Sequence, residues 1–448
     1  MKIAMFTDAY WPRVNGVSVS VDSFSRALVK EGHDVLIVCP SYPQDLSNVI
    51  SLQKEAETEN LLKVIKVPSV PAFVSKEDQL AKSIKWKWVF KQVDVFNPDI
   101  IHINTEVTIA EFGISYARSH NLPVVYTLHT MWEDYAPNYF PMFPPRLVRF
   151  VVRGIVKNVV KRSYRVIVPT PQIEETVIKY KLNSVISKIP TGIELDMFER
   201  DEAKSAELRI KLEDLFPKLK EKRILLFAGR VAKEKNIGFL LKILPDILIK
   251  HPDIVLLIAG NGPDLEYYKE EANKIGIEEN CVFTGYFDRK DLALIYSIAE
   301  VFMFPSMTDT QGLVTLESML AGTPVVAIGA MGTLTVMGGD NGGYMVKDDT
   351  AEFTARVLEL LGNSELHKSK SREAMLHARS WSIEELTKKL ISLYNSAIKD
   401  YVEEYGHRIT PILEKLVTKR WWKINKMILT KKTKKSWKKI LSKLGIKK

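Results

Sequence analysis

The strongest constraint in this sequence is a pattern that runs twice. Short β-branched stretches alternate with amphipathic helical ones, first at Lys2–Phe6, Val35–Cys39, Lys63–Val67, Ile100–Ile103, Val124–Leu128 and Val166–Pro169. A charged helical interval, 201–222, follows. The alternation then restarts at Ile224–Ala228, Ile254–Ala259, Cys281–Thr284, Val301–Phe304, Val325–Ile328 and Gly343–Val346. Strands alternating with helices predict parallel sheets flanked by helices. At 448 residues the chain is too long for one ordinary domain, and its 46% hydrophobic content suffices for two cores. The expected fold is α/β: two Rossmann-like, doubly wound domains facing a cleft, with ligands beyond the carboxyl ends of the strands. The expected division is a first domain at 1–200, a connector at 201–222 and a second domain at 223–382. A crossover helix near 383–402 should pack back on the first domain, and a tail occupies 403–448.

Two cysteines, Cys39 and Cys281, sit in or beside apolar runs and read as buried thiols, which fits a reducing cytoplasm. The opening segment is too poor in apolar residues for a signal peptide, and no stretch approaches the roughly 18 apolar residues of a spanning helix. The formal charge of +10 is unevenly spread: His407–Lys448 holds 15 Lys and Arg against one acid, leaving 49 basic and 53 acidic residues in the body. A tail of +14 on a body of −4 calls for an anionic partner.

Four loops could carry chemistry. After the first strand, Asn15-Gly16 precedes a helix, either as a glycine-eased anion loop or as a tight turn with Ser18 as N-cap. After Ile224–Ala228 come Gly229, Arg230 and Lys235, whose cations can reach one phosphate group or simply face solvent. The next strand ends in Gly260-Asn261-Gly262-Pro263, a sharp turn leading into a helix. The fourth runs from Pro305 to Glu317. There a helix starting near Gly312 offers backbone N–H groups, with Asp309 before it and Glu317 inside it. Taken singly, these two acids read better as a residue near the N-cap and an ordinary exposed helix Glu.

Together the loops resemble the retaining GT-B glycosyltransferases of family 4. The Asp309–Glu317 segment is similar to that family's E-x7-E signature, with Asp309 in place of the first Glu. Thr127-Leu128-His129-Thr130 and Phe304-Pro305-Ser306 add to the likeness. The resemblance implies that Arg230 and Lys235 neutralise a donor diphosphate and that Glu317 binds the ribose. It implies that Asp309, with the amides of Gly312, Leu313 and Val314, holds the transferred sugar and a phosphate. His129 would lie near that sugar, Gly16 would let the first loop close on the phosphates, and Tyr286 would lie near the base. Asp for Glu shortens the reach by one methylene and bears on sugar specificity. No D-x-D motif occurs. No cofactor or catalytic metal is therefore expected, only room for a non-catalytic divalent-ion effect.

The acceptor side is read from charge. Pro145–Arg165 carries Arg146, Arg149, Arg153, Lys157 and Lys161 at helical spacing, with Val148, Val151, Val152, Ile155 and Val159 on another face. Trp86 and Trp88 lie between lysines, and the tail sets Trp421, Trp422 and Trp437 among lysines on amphipathic helices. Such helices suit an anionic membrane surface, with RNA binding as the competing and less favoured partner. The segment Thr308–Val314 is similar to bacterial diacylglycerol glucosyltransferases. That likeness implies glucose transfer from UDP-glucose to the 3-hydroxyl of 1,2-diacylglycerol by a peripheral enzyme on the cytoplasmic leaflet. Glu106 is a candidate acceptor-side carboxylate. Other readings are a GDP-mannose-dependent family-4 transferase, a sugar-nucleotide epimerase and a membrane scaffold; nothing in the sequence sets an oligomeric state.

Overall fold

The computed structural model describes residues 1–13, 15–43, 62–72, 78–140, 142–180, 184–198 and 201–406. Trp421, Trp422, Trp437 and the rest of the basic tail lie outside the described residues. The first sheet comprises β1 (Lys2–Phe6), β2 (Asp34–Pro40), β3 (Leu62–Val67), β6 (Ile100–Ile103), β7 (Val124–Thr127), β8 (Arg165–Val168) and β9 (Val185–Lys188), all parallel, in the order β3-β2-β1-β6-β7-β8-β9. β4 (Ser69–Pro71) and β5 (Gln79–Ala81) form a small antiparallel ribbon. The second sheet orders β10 (Arg223–Ala228), β11 (Ile254–Ala259), β12 (Cys281–Gly285), β13 (Val301–Phe304), β14 (Val325–Ile328) and β15 (Gly343–Val346) as β12-β11-β10-β13-β14-β15. The expected α/β class with two Rossmann-like sheets is what the chain adopts.

Each sheet is buried on both faces at its centre, which is why the inner strands are continuous apolar runs. In β1, Ala4 and Phe6 join a core beneath the Trp86–Phe96, Thr108–His120 and Pro145–Arg162 helices, while Ile3 and Met5 face the other way. That opposite core is completed by the Gly16–Lys30 helix and by Leu386, Leu390, Leu393, Tyr394 and Ala397 of the long Ile383–Tyr405 helix. The spacing of these last residues is one helical stripe, and each fully buried Leu or Ile stabilises the docking by about 1.5–3 kcal/mol.

The interval 201–222 is more than a connector. It holds the Glu202–Leu215 helix, and Leu212 and Leu219 are buried in the second core. The chain crosses between sheets at 189–198 and returns at Trp381–Ile383. The two crossings are stitched together: Ile193 N–H donates to Trp381 O (2.9 Å), and Ile383 N–H to Ile193 O (3.0 Å). A Cβ at Gly192 would lie 2.6 Å from the Ile383 backbone, so glycine is what permits this approach. Strand order reverses at β1/β6 and at β10/β13, and loops at such switch points are where doubly wound sheets bind ligands. Among the described residues, no helix is long and apolar enough to cross a membrane.

Candidate active site

The second sheet builds its half of the site by locking two loops together. Gly229, at φ +149, turns the chain out of β10, and its N–H donates to Ala259 O (3.0 Å). Val231 N–H then donates to Asn261 O (2.9 Å). A Cβ at Gly260 would sit 1.8 Å from Gly229 O, and one at Gly262 2.2 Å from Val231 O. These glycines are therefore demanded by backbone packing before any ligand arrives. Asn261 turns its own side chain back to accept from Gly262 N–H (2.7 Å). The bridge between Gly260 and Gly285 sets Tyr286 beside this turn.

A 3-10 turn, Lys233–Lys235, closes on Asn236 in the left-handed conformation and aims Lys235 across the switch point. Its Nζ donates to Asp309 Oδ1 at 2.6 Å, and both side chains are mostly buried. Arg230 stands 3.7 Å from Glu234, whose carbonyl accepts from Thr308 Oγ1 at 3.2 Å. Asp309 Oδ2 is buried without a partner, which leaves one carboxylate oxygen to be satisfied by whatever fills the site. Asp309 O accepts from Gly332 N–H (2.9 Å). Gly312, at φ +74, caps the Leu313–Leu320 helix, so Leu313 and Val314 supply its first-turn amides. Glu317, on that helix, is 6% exposed and accepts from Tyr296 Oη (3.0 Å). The exposed-helix reading is thus wrong for Glu317. Burial raises its pKa, and Arg289 opposes the shift. Arg289 is itself paired with Glu194 at 2.8 Å.

The first sheet builds its half from neutral hydrogen bonds. The N-cap of the Gly16–Lys30 helix is Asn15, not Ser18: Asn15 Oδ1 accepts from Ser18 N–H (2.9 Å), and Ser18 Oγ accepts from Asn15 N–H (3.0 Å). Reciprocal bonding of this kind needs the third helical residue, which is why Ser18 lies inside the helix. Gly16 is exposed with open space where a Cβ would stand. His129 follows β7, and its Nε2 lies 3.1 Å from Asn104 Oδ1. That acceptor places the proton on Nε2 and leaves Nδ1 as an acceptor. Burial pushes the His129 pKa down to about 4, so the ring is neutral at pH 7.

Glu106 follows β6. Tyr126 Oη donates to one of its oxygens and Trp132 Nε1 to the other (2.7 Å). Both oxygens thus hold the protein together, and the contact steadies the loop three residues beyond His129. Burial pushes its pKa up to about 7 against those two hydrogen bonds. Asp8, which the sequence did not flag, accepts from Thr105, Thr108, Val107 and Ile109 and so ties the loop after β1 to the loop after β6. Asn104, Glu194 and Arg289 were likewise missed: Asn104 stands directly after β6, but Glu194 lies in the crossing and Arg289 opens a helix.

The basic helix is Pro145–Arg162. It buries Val148, Val156, Val159 and Val160, while Val151 and Ile155, from the apolar face, are exposed beside Phe150 at 73%. The buried strip thus takes in only part of the apolar face, with Val156 and Val160 added. Arg146 and Arg149 are exposed; Arg149 donates to Glu133 O (3.3 Å). Arg153 makes two bonds to the Glu133 carboxylate, 2.9 and 2.6 Å, so an acid from the preceding helix neutralises part of this face. Lys157 lies over the Tyr180 ring at 5.2 Å.

Two family models match the chain: Glycosyltransferase Family 4 over residues 14–197 and Glycosyl transferases group 1 over residues 211–377. An alpha-monoglucosyldiacylglycerol synthase of Streptococcus pneumoniae is 34% identical over 335 residues, 73% of this chain and 71% of that protein. Another, from Acholeplasma laidlawii, is 26% identical and covers 88% of this chain and 96% of its own length. Among solved structures, Anabaena Alr3699/HepE in complex with UDP and glucose superposes with a TM-score of 0.71 at 15% identity, covering 88% of this chain and all of that one. With both sheets, both switch-point loops and these matches in agreement, the chain belongs to the GT-B glycosyltransferases of family 4.

Proposed function

We propose that this glycosyltransferase transfers glucose from UDP-glucose, with retention, to the 3-hydroxyl of 1,2-diacylglycerol at an anionic membrane surface. The observation that carries the donor half is the Lys235–Asp309 pair, whose second carboxylate oxygen is buried and unpartnered beside a helix N-terminus. A sugar hydroxyl supplies the missing donor, while Lys235, Arg230 and the amides of Gly312, Leu313 and Val314 face the diphosphate. In the reaction the acceptor oxygen bonds to the anomeric carbon as the bond to the β-phosphate oxygen breaks. The acceptor proton passes to the departing phosphate, and the cations stabilise the charge that develops there. On this reading Glu317 holds the ribose, and Tyr286 and the Gly260–Gly262 turn border the base. Neutral His129 serves as a hydrogen-bonding group near the sugar.

The acceptor half is supported by the names of the two synthases, which specify an α-glucoside of diacylglycerol. Because UDP-glucose is α-linked, an α product requires net retention. The +14 charge of His407–Lys448 and the exposed Phe150, Val151 and Ile155 among arginines suit a peripheral protein on a lipid surface. In this division of labour 1–200 meets the acceptor and 223–382 the donor. The test offers radiolabelled UDP-glucose, UDP-galactose or GDP-mannose with diacylglycerol in anionic micelles. A glucosylated lipid formed only from UDP-glucose supports the reading; mannose incorporation, or turnover without lipid, overturns it.

A further inference from the structure

We infer that Gln311 is a positioning residue that couples the donor loop to the crossing between the two domains. Gln311 lies between Asp309 and Gly312 and is 7% exposed. Its amide holds both backbone groups of one residue in the other half of the chain: Oε1 accepts from Thr191 N–H at 2.8 Å, and Nε2 donates to Thr191 O at 2.5 Å. A side chain pinned at both ends of its amide acts first as a link between the two segments. Its role is to fix where its own loop stands relative to Thr191.

Both ends of this clamp are held. Thr191 adjoins Gly192, which packs against Ile383, and Ile193, which is paired with the returning crossing at Trp381–Ile383. Its hydroxyl lies 2.7 Å from Ser20 Oγ on the Gly16–Lys30 helix, whose N-terminus follows the first loop. On the other side, a Cβ at Gly332 would fall 2.3 Å from Gln311 Cα, so the loop cannot slide without the segment that also binds Asp309 O. A second tie runs in parallel: Glu194 accepts from Ser23 Oγ (2.9 Å) and from Arg289 (2.8 Å), beside Glu317. The helix that opens at Gly16, the crossing and the donor loop thus form one hydrogen-bonded chain. Moving one domain relative to the other at 189–198 pulls on Gln311, and through it on Asp309 two residues away.

The inference rests on the reading of Asp309 as the sugar-facing group, so the experiment separates the two. Full-length Q311M, Q311E and D309N are compared with the parent for UDP binding by calorimetry and for glucose transfer from UDP-glucose to dioleoylglycerol in mixed micelles. Q311M removes both bonds and should lower kcat on the order of tenfold or more, with a smaller loss of UDP affinity because the Gly312–Val314 amides belong to the same loop. Q311E sets a carboxylate against the Thr191 carbonyl when ionised and restores the O–H donor when protonated. Its turnover relative to the parent should therefore rise as pH falls, a response that loss of packing would not give. Should Q311M fail to fold, this pH ratio carries the test. A Q311E-to-parent ratio that stays flat with pH overturns the inference, as does a parent-like kcat in folded Q311M beside an inactive D309N. A fully active D309N removes the site reading itself and the inference with it.

Discussion

The two halves of the cleft are built from opposite materials. On the second sheet, Arg230, Glu234, Lys235 and Asp309 make a chain of charges on loops whose backbones interlock through Gly229, Gly260 and Gly262. On the first, burial holds His102 at a pKa of about 3 and His129 at about 4, and lifts Glu106 to about 7. One half is electrostatic and rigid; the other is a network of largely neutral hydrogen bonds running from Tyr394 through His102 to Thr127. The difference matches the two ligands proposed. A nucleoside diphosphate brings charge that only fixed cations can neutralise, whereas the hydroxyl of a diacylglycerol is uncharged and would be repelled by nothing on that side.

The comparison breaks first at Lys235. K235A leaves Asp309 as a buried carboxylate without its cation, and kcat/KM for the donor should fall roughly 10²–10³-fold in initial-rate assays. A variant within threefold of the parent would mean that the charged half is merely structural, and a membrane scaffold would become the better reading. The neutral half is probed by pH. With its pKa lowered from 6.5 to about 4, His129 contributes stability that is present above pH 6.5 and lost as pH falls through about 4. The activity of the parent should accordingly show no inflection near pH 6.5 traceable to this ring, and H129Q, which keeps a neutral hydrogen-bonding side chain, should have the same profile between pH 6 and 8. An inflection near 6.5 present in the parent and absent from H129Q would place a titrating imidazole there instead.

What could be read from sequence divides along the same line. The second-sheet strands were placed almost to the residue because fully buried parallel strands are unbroken apolar runs, and the loops that follow them carry glycine and charge together. The edge strand β9 was missed because Val-Ile-Ser-Lys is half exposed and has no such run. On the first sheet, charges and glycines say little. The links that organise it, Asp8 to Ile109 or Tyr126 to Glu106, join residues 101 and 20 positions apart through side chains that occur anywhere. Gln311 was invisible for the same reason: its partner is a backbone unit 120 residues earlier. Helical spacing predicted that Pro145–Arg165 is amphipathic, but which part of the apolar face is buried is set by what packs beneath it.

A smaller effect sharpens the contrast at Glu106. Its pKa rises from 4.5 to about 7 on folding, so the folded state binds the proton more tightly, and the resulting stabilisation is present below pH 4.5 and lost as pH climbs through 7. E106Q is neutral at every pH. It should match the parent near pH 4 and gain on the order of 1–3 kcal/mol over it at pH 8, read from denaturant melts at both values. Equal stability at the two pH values would show that Tyr126 and Trp132 fully compensate the buried charge, and that this half of the cleft is less apolar than its burial implies.

The smallest expected effect lies outside the cleft, on the exposed face of the Pro145–Arg162 helix, where basic residues of the same type have different surroundings. Arg146 points to solvent near Phe150, whereas Arg153 is doubly bonded to Glu133. An arginine facing an anionic bilayer contributes about 1 kcal/mol, so R146A should weaken binding to phosphatidylglycerol vesicles a few-fold in sedimentation assays. R153A removes the same unit of charge by turning a neutral pair into a lone acid, so it should weaken binding by no more than R146A, while loosening the contact with the Trp132–Tyr139 helix. If R153A weakened vesicle binding more than R146A, the Glu133 bridge would have to open at the membrane. The arginine would then be released to lipid, and Glu133 would be left to Tyr180, which already donates to it at 2.8 Å.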